Sequence, residues 1–287
     1  MDFTEILKII LIGIIEGITE WLPVSSTGHM ELFNHFVPVA LFEKNPEFKE
    51  MFMVVIQLGA VLAVVVTFFK KLFPFQKKDE NGLRVKKDVL SLWGKVIAAC
   101  LPAGIIGVLC DDFLEAHLHH AAVIAAMLIL YGIAFIVIEQ FNRKKQRAFK
   151  IDDVYSIDYK TALLIGAFQV LSLIPGTSRS GVTILGALIL GVARPAGSEF
   201  TFFLAIPVMF GASFLKLLKY FAVDGGAFHG AEILALSLGC AVAFVVSVLA
   251  IKFLMNFVKK HDFKPFGIYR IALGVLVLSA IVIPNLV

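Results

Sequence analysis

The stretch EGITEWLPVSSTGH, residues 16–29, decides how the chain is read. It lies within an apolar segment, residues 6–37, yet it gathers Glu16, Glu20, Ser25, Ser26, Thr27 and His29 around Pro23. Its flanks are rich in Leu, Ile, Val and Phe. Ionisable side chains in such a setting are expensive, and they mark function when the segment lies in a membrane.

The rest of the chain supplies the membrane. Apolar residues make up 59% of the 287, mean hydropathy is +0.89, and apolar runs long enough to cross ~30 Å of hydrocarbon recur. Six stretches read as full spans, at about 51–70, 93–110, 121–141, 200–221, 233–254 and 266–285. The start reads as part of the fold and not as a cleaved leader, because Asp2 and Glu5 replace a basic n-region and Glu16 and Glu20 interrupt the apolar run. The predicted class is all-α, a polytopic membrane protein of one domain over 1–287.

Two regions, 6–37 and 160–193, are apolar but broken by PVSSTGH and PGTSRSG, which leaves short halves suited to hairpins that enter and leave on one side. Loop charges test this. Lys70, Lys71, Lys77, Lys78, Arg84, Lys86 and Lys87, then Arg143, Lys144, Lys145, Arg147, Lys150 and Lys160, mark two cytoplasmic loops. Lys252, Lys259, Lys260 and Lys264 mark a third. The segments CDDFLEAHLHH (110–120) and VDGGAFHGAE (223–232) hold acids and no Lys or Arg, so they belong outside. The spans alternate without conflict only if both broken regions are re-entrant. The two halves, about 1–150 and 151–287, then form an inverted repeat. GIIEGITEWLPVSSTG echoes GAFQVLSLIPGTSRSG, with a one-residue gap before the proline. Such repeats bring their broken segments together near the midplane.

Pro23 and Pro175 end the first half-helices, and the Ser, Thr and Gly that follow suit the N-caps of returning helices, whose free N–H groups bind anions. Glu16 and Glu20 share one helix face at i, i+4. Two buried carboxylates need a cation, a basic residue or a proton, and beside a phosphate Mg2+ or Ca2+ is the simplest answer. Arg179 in GTSRSG needs an anion, and its fork matches phosphate oxygens; a salt bridge to Glu16 or Glu20 is the plainer alternative. His29, three residues after Ser26, is a candidate base for a nucleophile or acid for a leaving group. Ser25, Ser26 and Thr27 equally suit helix capping.

Other clusters carry less. His117, His119 and His120 beside Asp111, Asp112 and Glu115 read as a solvated outer loop before they read as a metal site. Arg194 and Glu199 are expected at the interface or capping a helix. Cys100, Cys110 and Cys240 read as small hydrophobes. A net charge of +4 does not point to nucleic acid, and the lack of a P-loop, a dinucleotide fingerprint and HExxH argues against nucleotide-driven transport and zincin chemistry.

EGITEWLPVSSTGH together with PGTSRSGVT resembles the undecaprenyl-diphosphatase family of bacterial membrane enzymes, also called bacitracin resistance proteins. The resemblance covers essentially the whole chain. It implies hydrolysis of undecaprenyl diphosphate to the monophosphate and phosphate, recycling the lipid carrier for peptidoglycan at the bacterial plasma membrane. It also implies a divalent cation and a site presented to the outer face. By resemblance, Glu16 and Glu20 are the acidic pair, Ser26 the catalytic serine and His29 the histidine. Arg179, Ser178 and Thr183 form the phosphate-binding segment, with Ser25, Thr27 and Gly28 adding substrate contacts. A second lipid-phosphatase family needs a His six residues after the Arg, where Leu185 stands.

In the expected reaction Ser26 attacks in line while His29 exchanges its proton; water positioned by Glu20 is the alternative. The rival function is a polyprenyl-phosphate flippase or transporter using the same inverted-repeat pocket. An ion channel fits poorly, with Arg179 facing the carboxylates. Oligomeric state is open, a homodimer included.

Overall fold

The computed structural model describes residues 1–78, 82–118, 120–144 and 149–283. Helix α1 (Phe3–Thr19) is capped by Asp2, whose carboxylate accepts the Glu5 N–H. It ends ahead of Pro23, and α2 (Ser26–Phe36) follows. Short α3 (Ala40–Lys44) leads to α4 (Pro46–Val55), which starts on the Asn45 cap with proline in its first turn. Then come α5 (Gln57–Thr67), α6 (Phe69–Leu72) and a small antiparallel ribbon, β1 (Phe75–Lys78) with β2 (Gly82–Val85). Long helices α7 (Lys87–Leu118) and α8 (Ala121–Lys144) complete this part. The second part holds α9 (Tyr159–Val170), α10 (Arg179–Ile189), α11 (Arg194–Ala222), α12 (Gly230–Val258) and α13 (Lys264–Val277), which runs on as a π-helix to Val282.

Among the described residues six helical segments are long and apolar enough to cross a membrane: Pro46–Thr67, Lys87–Cys110, Ala121–Lys144, Arg194–Ala222, Gly230–Val258 and Lys264–Val282. They match the six expected spans, with corrections at the ends. The first starts earlier and stops at Thr67. It carries a one-residue irregularity at Ile56, where the Gly59 N–H bonds back three residues. No Pro or Gly at Ile56 announces this. Helix α7 runs on to Leu118, so the stretch expected as an outer loop from residue 110 is mostly helix. His119 lies outside the described residues, as do the side chains of Asp111, Asp112 and Glu115. Among the described residues no three His, Cys, Asp or Glu gather as a metal site. Of the expected basic loops, Lys145 and Arg147 lie outside the described residues, as do the side chains of Lys77, Lys78 and Arg84.

The helices sort by end. Lys71 pairs with Glu199, Tyr155 donates to Lys71 O, and Glu139 takes both Arg194 and the Phe263 N–H. Arg194 and Glu199, expected at the interface or capping a helix, therefore tie elements together through ion pairs. At the other end Asn45 donates to Glu232, and Lys8 to Pro38 O. The last contact joins the chain entering α1 to the chain leaving α2. The second broken region closes the same way, since Lys150 N–H donates to Gly191 O and Ala193 N–H to Ile151 O. Each broken region thus has its entrance and its exit joined by a hydrogen bond.

Close backbone approach organises the interior. Gly132 on α8 and Gly267 on α13 face each other reciprocally: a Cβ on either would stand 2.7 Å from the other's carbonyl oxygen. Ser25 and Ser178, both N-caps with positive φ, stand 153 residues apart, and at that offset Gly13 meets Gly166 and Gly28 meets Gly181 with no gap before the proline. Instead the prolines are out of register, with Pro23 opposite Gly176.

Candidate active site

Both returning helices begin on a strained serine. Ser25 has φ 72° and Ser178 φ 69°, the only non-glycine residues with positive φ among those described. Each hydroxyl accepts the N–H three residues on, from Gly28 and Gly181. Holding a serine in this region costs on the order of 1–3 kcal/mol, and such strain collects at functional sites. It turns each chain sharply from break to helix. Among the described residues the N–H groups of Ser26, Thr27, Arg179 and Ser180 have no protein acceptor, so two positive helix ends lie free.

Glu20 links the two ends. Its Oε2 accepts the Ser26 hydroxyl at 2.9 Å, and its Oε1 accepts Arg179 Nη2 at 3.0 Å. Its backbone carbonyl accepts the Ser180 hydroxyl at 2.9 Å. The expected Arg179–Glu20 pair is thus present, while the other guanidinium nitrogen donates to Thr201 O and the group lies over the Trp21 ring at 5.8 Å. Glu16 is buried one turn away, and its Oε1 has no partner.

The adjacent serines separate clearly. Ser25 is fully buried as a cap, whereas Ser26 is half-buried and bonded to a carboxylate. His29 does not hold Ser26. Its Nδ1 donates to Ser25 O at 2.7 Å, which leaves Nε2 to meet the Tyr269 hydroxyl at 2.8 Å, with the rings stacked. Thr183 is buried behind Arg179, donating to Arg179 O and accepting from Thr201. It supports the arginine's helix. Gly28 packs where a Cβ would stand 2.9 Å from Leu128, and Thr27 is exposed.

Three residues escaped the sequence reading. Arg270 is fully buried, and its guanidinium donates to the carbonyls of Pro23, Gly176 and Thr177, gripping both breaks at once. Its signal was available as a lone arginine inside an apolar span. Trp21 and Tyr269 carried no such signal.

The family model for Bacitracin resistance protein BacA matches residues 9–276. The chain belongs to this family. An undecaprenyl-diphosphatase of Enterococcus faecalis is 62% identical over 97% of this chain and 98% of its own length. A second protein of that name from the same species is 54% identical, over 97% and 98%. One from Desulfitobacterium hafniense is 53% identical, over 97% and 96%. Both signature segments fall inside the matched region, so the residues of this site lie within the part of the chain that the family model covers.

Proposed function

We propose that this chain is an integral membrane phosphatase that hydrolyses undecaprenyl diphosphate to undecaprenyl phosphate and phosphate, recycling the lipid carrier used for peptidoglycan. The observation that carries it is the Ser26–Glu20–Arg179 chain across two free helix N-termini, in a chain so similar over its whole length to proteins named undecaprenyl-diphosphatase. Two N-termini and a guanidinium make a phosphate cradle, and a serine on a carboxylate makes an attacking group.

In this reading the halves are an inverted repeat, both helix pairs re-enter the bilayer from opposite faces, and the cleft opens to the outer face of the bacterial inner membrane. The bonded entrances and exits of both pairs support it. The terminal phosphate lies against the N–H groups of Ser26 and Thr27 and those of Arg179 and Ser180. Ser26 Oγ attacks the terminal phosphorus in line, and its proton passes to Glu20 Oε2, the oxygen already hydrogen-bonded to it. The bond to the bridging oxygen breaks, and undecaprenyl phosphate leaves. Water then cleaves the phosphoserine, giving phosphate and restoring the serine. The His29–Tyr269 pair serves the departing oxygen, since Nδ1 is committed to Ser25 O and only Nε2 and the phenol can exchange a proton. Of the two roles expected for His29, base for the nucleophile and acid for the leaving group, this reading takes the second.

The donors that would hold a divalent cation are oxygens: Glu16, whose buried Oε1 lacks a partner, and Glu20 beside it. Mg2+ or Ca2+ held there with substrate oxygens would neutralise phosphate charge.

Phosphate release by the purified full-length chain from undecaprenyl diphosphate tests the reading, with Arg179→Ala as control. No release with any divalent cation would remove it. Terminal-phosphate label trapped on Ser26 is expected, and full activity in Ser26→Ala would replace serine attack by water attack.

A further inference from the structure

Helices α7 and α11 each carry an internal proline, Pro102 and Pro207, which removes a backbone hydrogen bond and bends the helix. Beyond these prolines the two helices enclose a cavity of about 310 Å3, whose inner wall is Gln169, Ser172 and Leu173. That wall is the end of the first half of the second broken region, and Leu173 precedes the break that leads to Arg179.

Of the three glycines lining this cavity Gly107 meets Leu173 at 3.4 Å, whereas Gly104 and Gly211 meet nothing within 4 Å, unlike the helix-interior Gly132, Gly267 and Gly166, where another backbone presses close. A helix-interior glycine costs about 1 kcal/mol relative to alanine, and here no neighbouring backbone accounts for it. The second observation is Gln169, 1% exposed, with neither amide oxygen nor amide nitrogen partnered. It stands at the 153-residue offset from Glu16, a neutral amide where the first segment has a carboxylate. At the outer mouth Val108 and Leu215 are 69% and 54% exposed on span helices, so the opening faces hydrocarbon.

An occupant must therefore be a branched or kinked hydrocarbon with an oxygen at its inner end. The volume is about twice the ~150 Å3 of an apolar cavity that admits benzene. We infer that this cavity binds the first isoprene units of the prenyl diphosphate. The chain-side phosphate oxygen meets the Gln169 amide, and the chain leaves between α7 and α11 into the bilayer. This rests on the phosphatase reading and adds to it the place of the chain.

The test uses the full-length protein in nanodiscs with a prenyl diphosphate carrying a photoreactive group in its first isoprene units. Label is expected on residues 103–108 and 208–215, displaced by excess undecaprenyl diphosphate and not by phosphatidylglycerol. Gly104→Leu and Gly211→Leu, at positions where an added Cβ meets nothing and the rest of the side chain would fill the cavity, should raise KM about tenfold or more with kcat little changed, the scale on which apolar pockets discriminate. Label elsewhere while the parent releases phosphate, displacement by phosphatidylglycerol, or unchanged KM in both variants would overturn the assignment and leave the phosphatase reading intact. A parent that releases no phosphate fails that reading, and this one with it.

Discussion

At the scale of single residues the cleft divides its work by hydrogen bond. Arg179 binds with a fork, one arm to Glu20 and one to Thr201 O, so Arg179→Lys keeps the charge and loses the geometry. Phosphate release should fall by about 10²–10³ in kcat, as when one oriented donor is lost from an anion hole. Tyr269→Phe leaves the stacked ring and removes only the hydroxyl on His29 Nε2. A change of about tenfold or more in kcat with KM preserved is expected, together with an altered pH–rate profile. An unchanged profile would assign Tyr269 to packing. The serines, Arg179 and the carboxylate pair were legible in sequence because residues that cap a helix or carry charge are conspicuous among Leu and Phe. The His29–Tyr269 contact was not, because it spans 240 residues and each partner has a dozen ordinary uses.

Helices meet their neighbours through glycine and end on caps, and both can be checked. Gly132→Ala and Gly267→Ala each press a methyl onto the facing carbonyl oxygen, 2.7 Å away, and should destabilise by about 1–3 kcal/mol in detergent unfolding. Gly104→Ala, which meets nothing, should be neutral or slightly stabilising. Asp158 caps α9, and its hydrogen bonds from Thr161 hold its carboxyl below the usual carboxylate range. The folded value being lowered, the stabilisation is full above the unfolded value near ~4 and is lost as pH falls through the folded one. Asp158→Asn keeps an acceptor at the cap and should flatten that part of the acid limb. The spans themselves were legible from hydropathy. Their ends were not, because α7 continues through a polar stretch to Leu118 and hydropathy reports lipid, not hydrogen bonding.

For the molecule as a whole, the two broken segments were visible as separate motifs, and their likeness suggested a repeat. What joins them was hidden. Arg270, from a third element, holds three carbonyls of both breaks, and no carboxylate pairs with it among the described residues. Arg270→Gln should loosen both breaks together, so activity and thermal stability are expected to fall in one step; loss of activity at full stability would instead point to direct contact with substrate. Releasing three bonds worth ~1.5–3 kcal/mol each costs roughly 5–9 kcal/mol, so the two breaks come apart in fewer than about one molecule in several thousand. Movement of one break away from the other is therefore restrained where a single guanidinium, anchored on a helix of its own, holds the carbonyls of both.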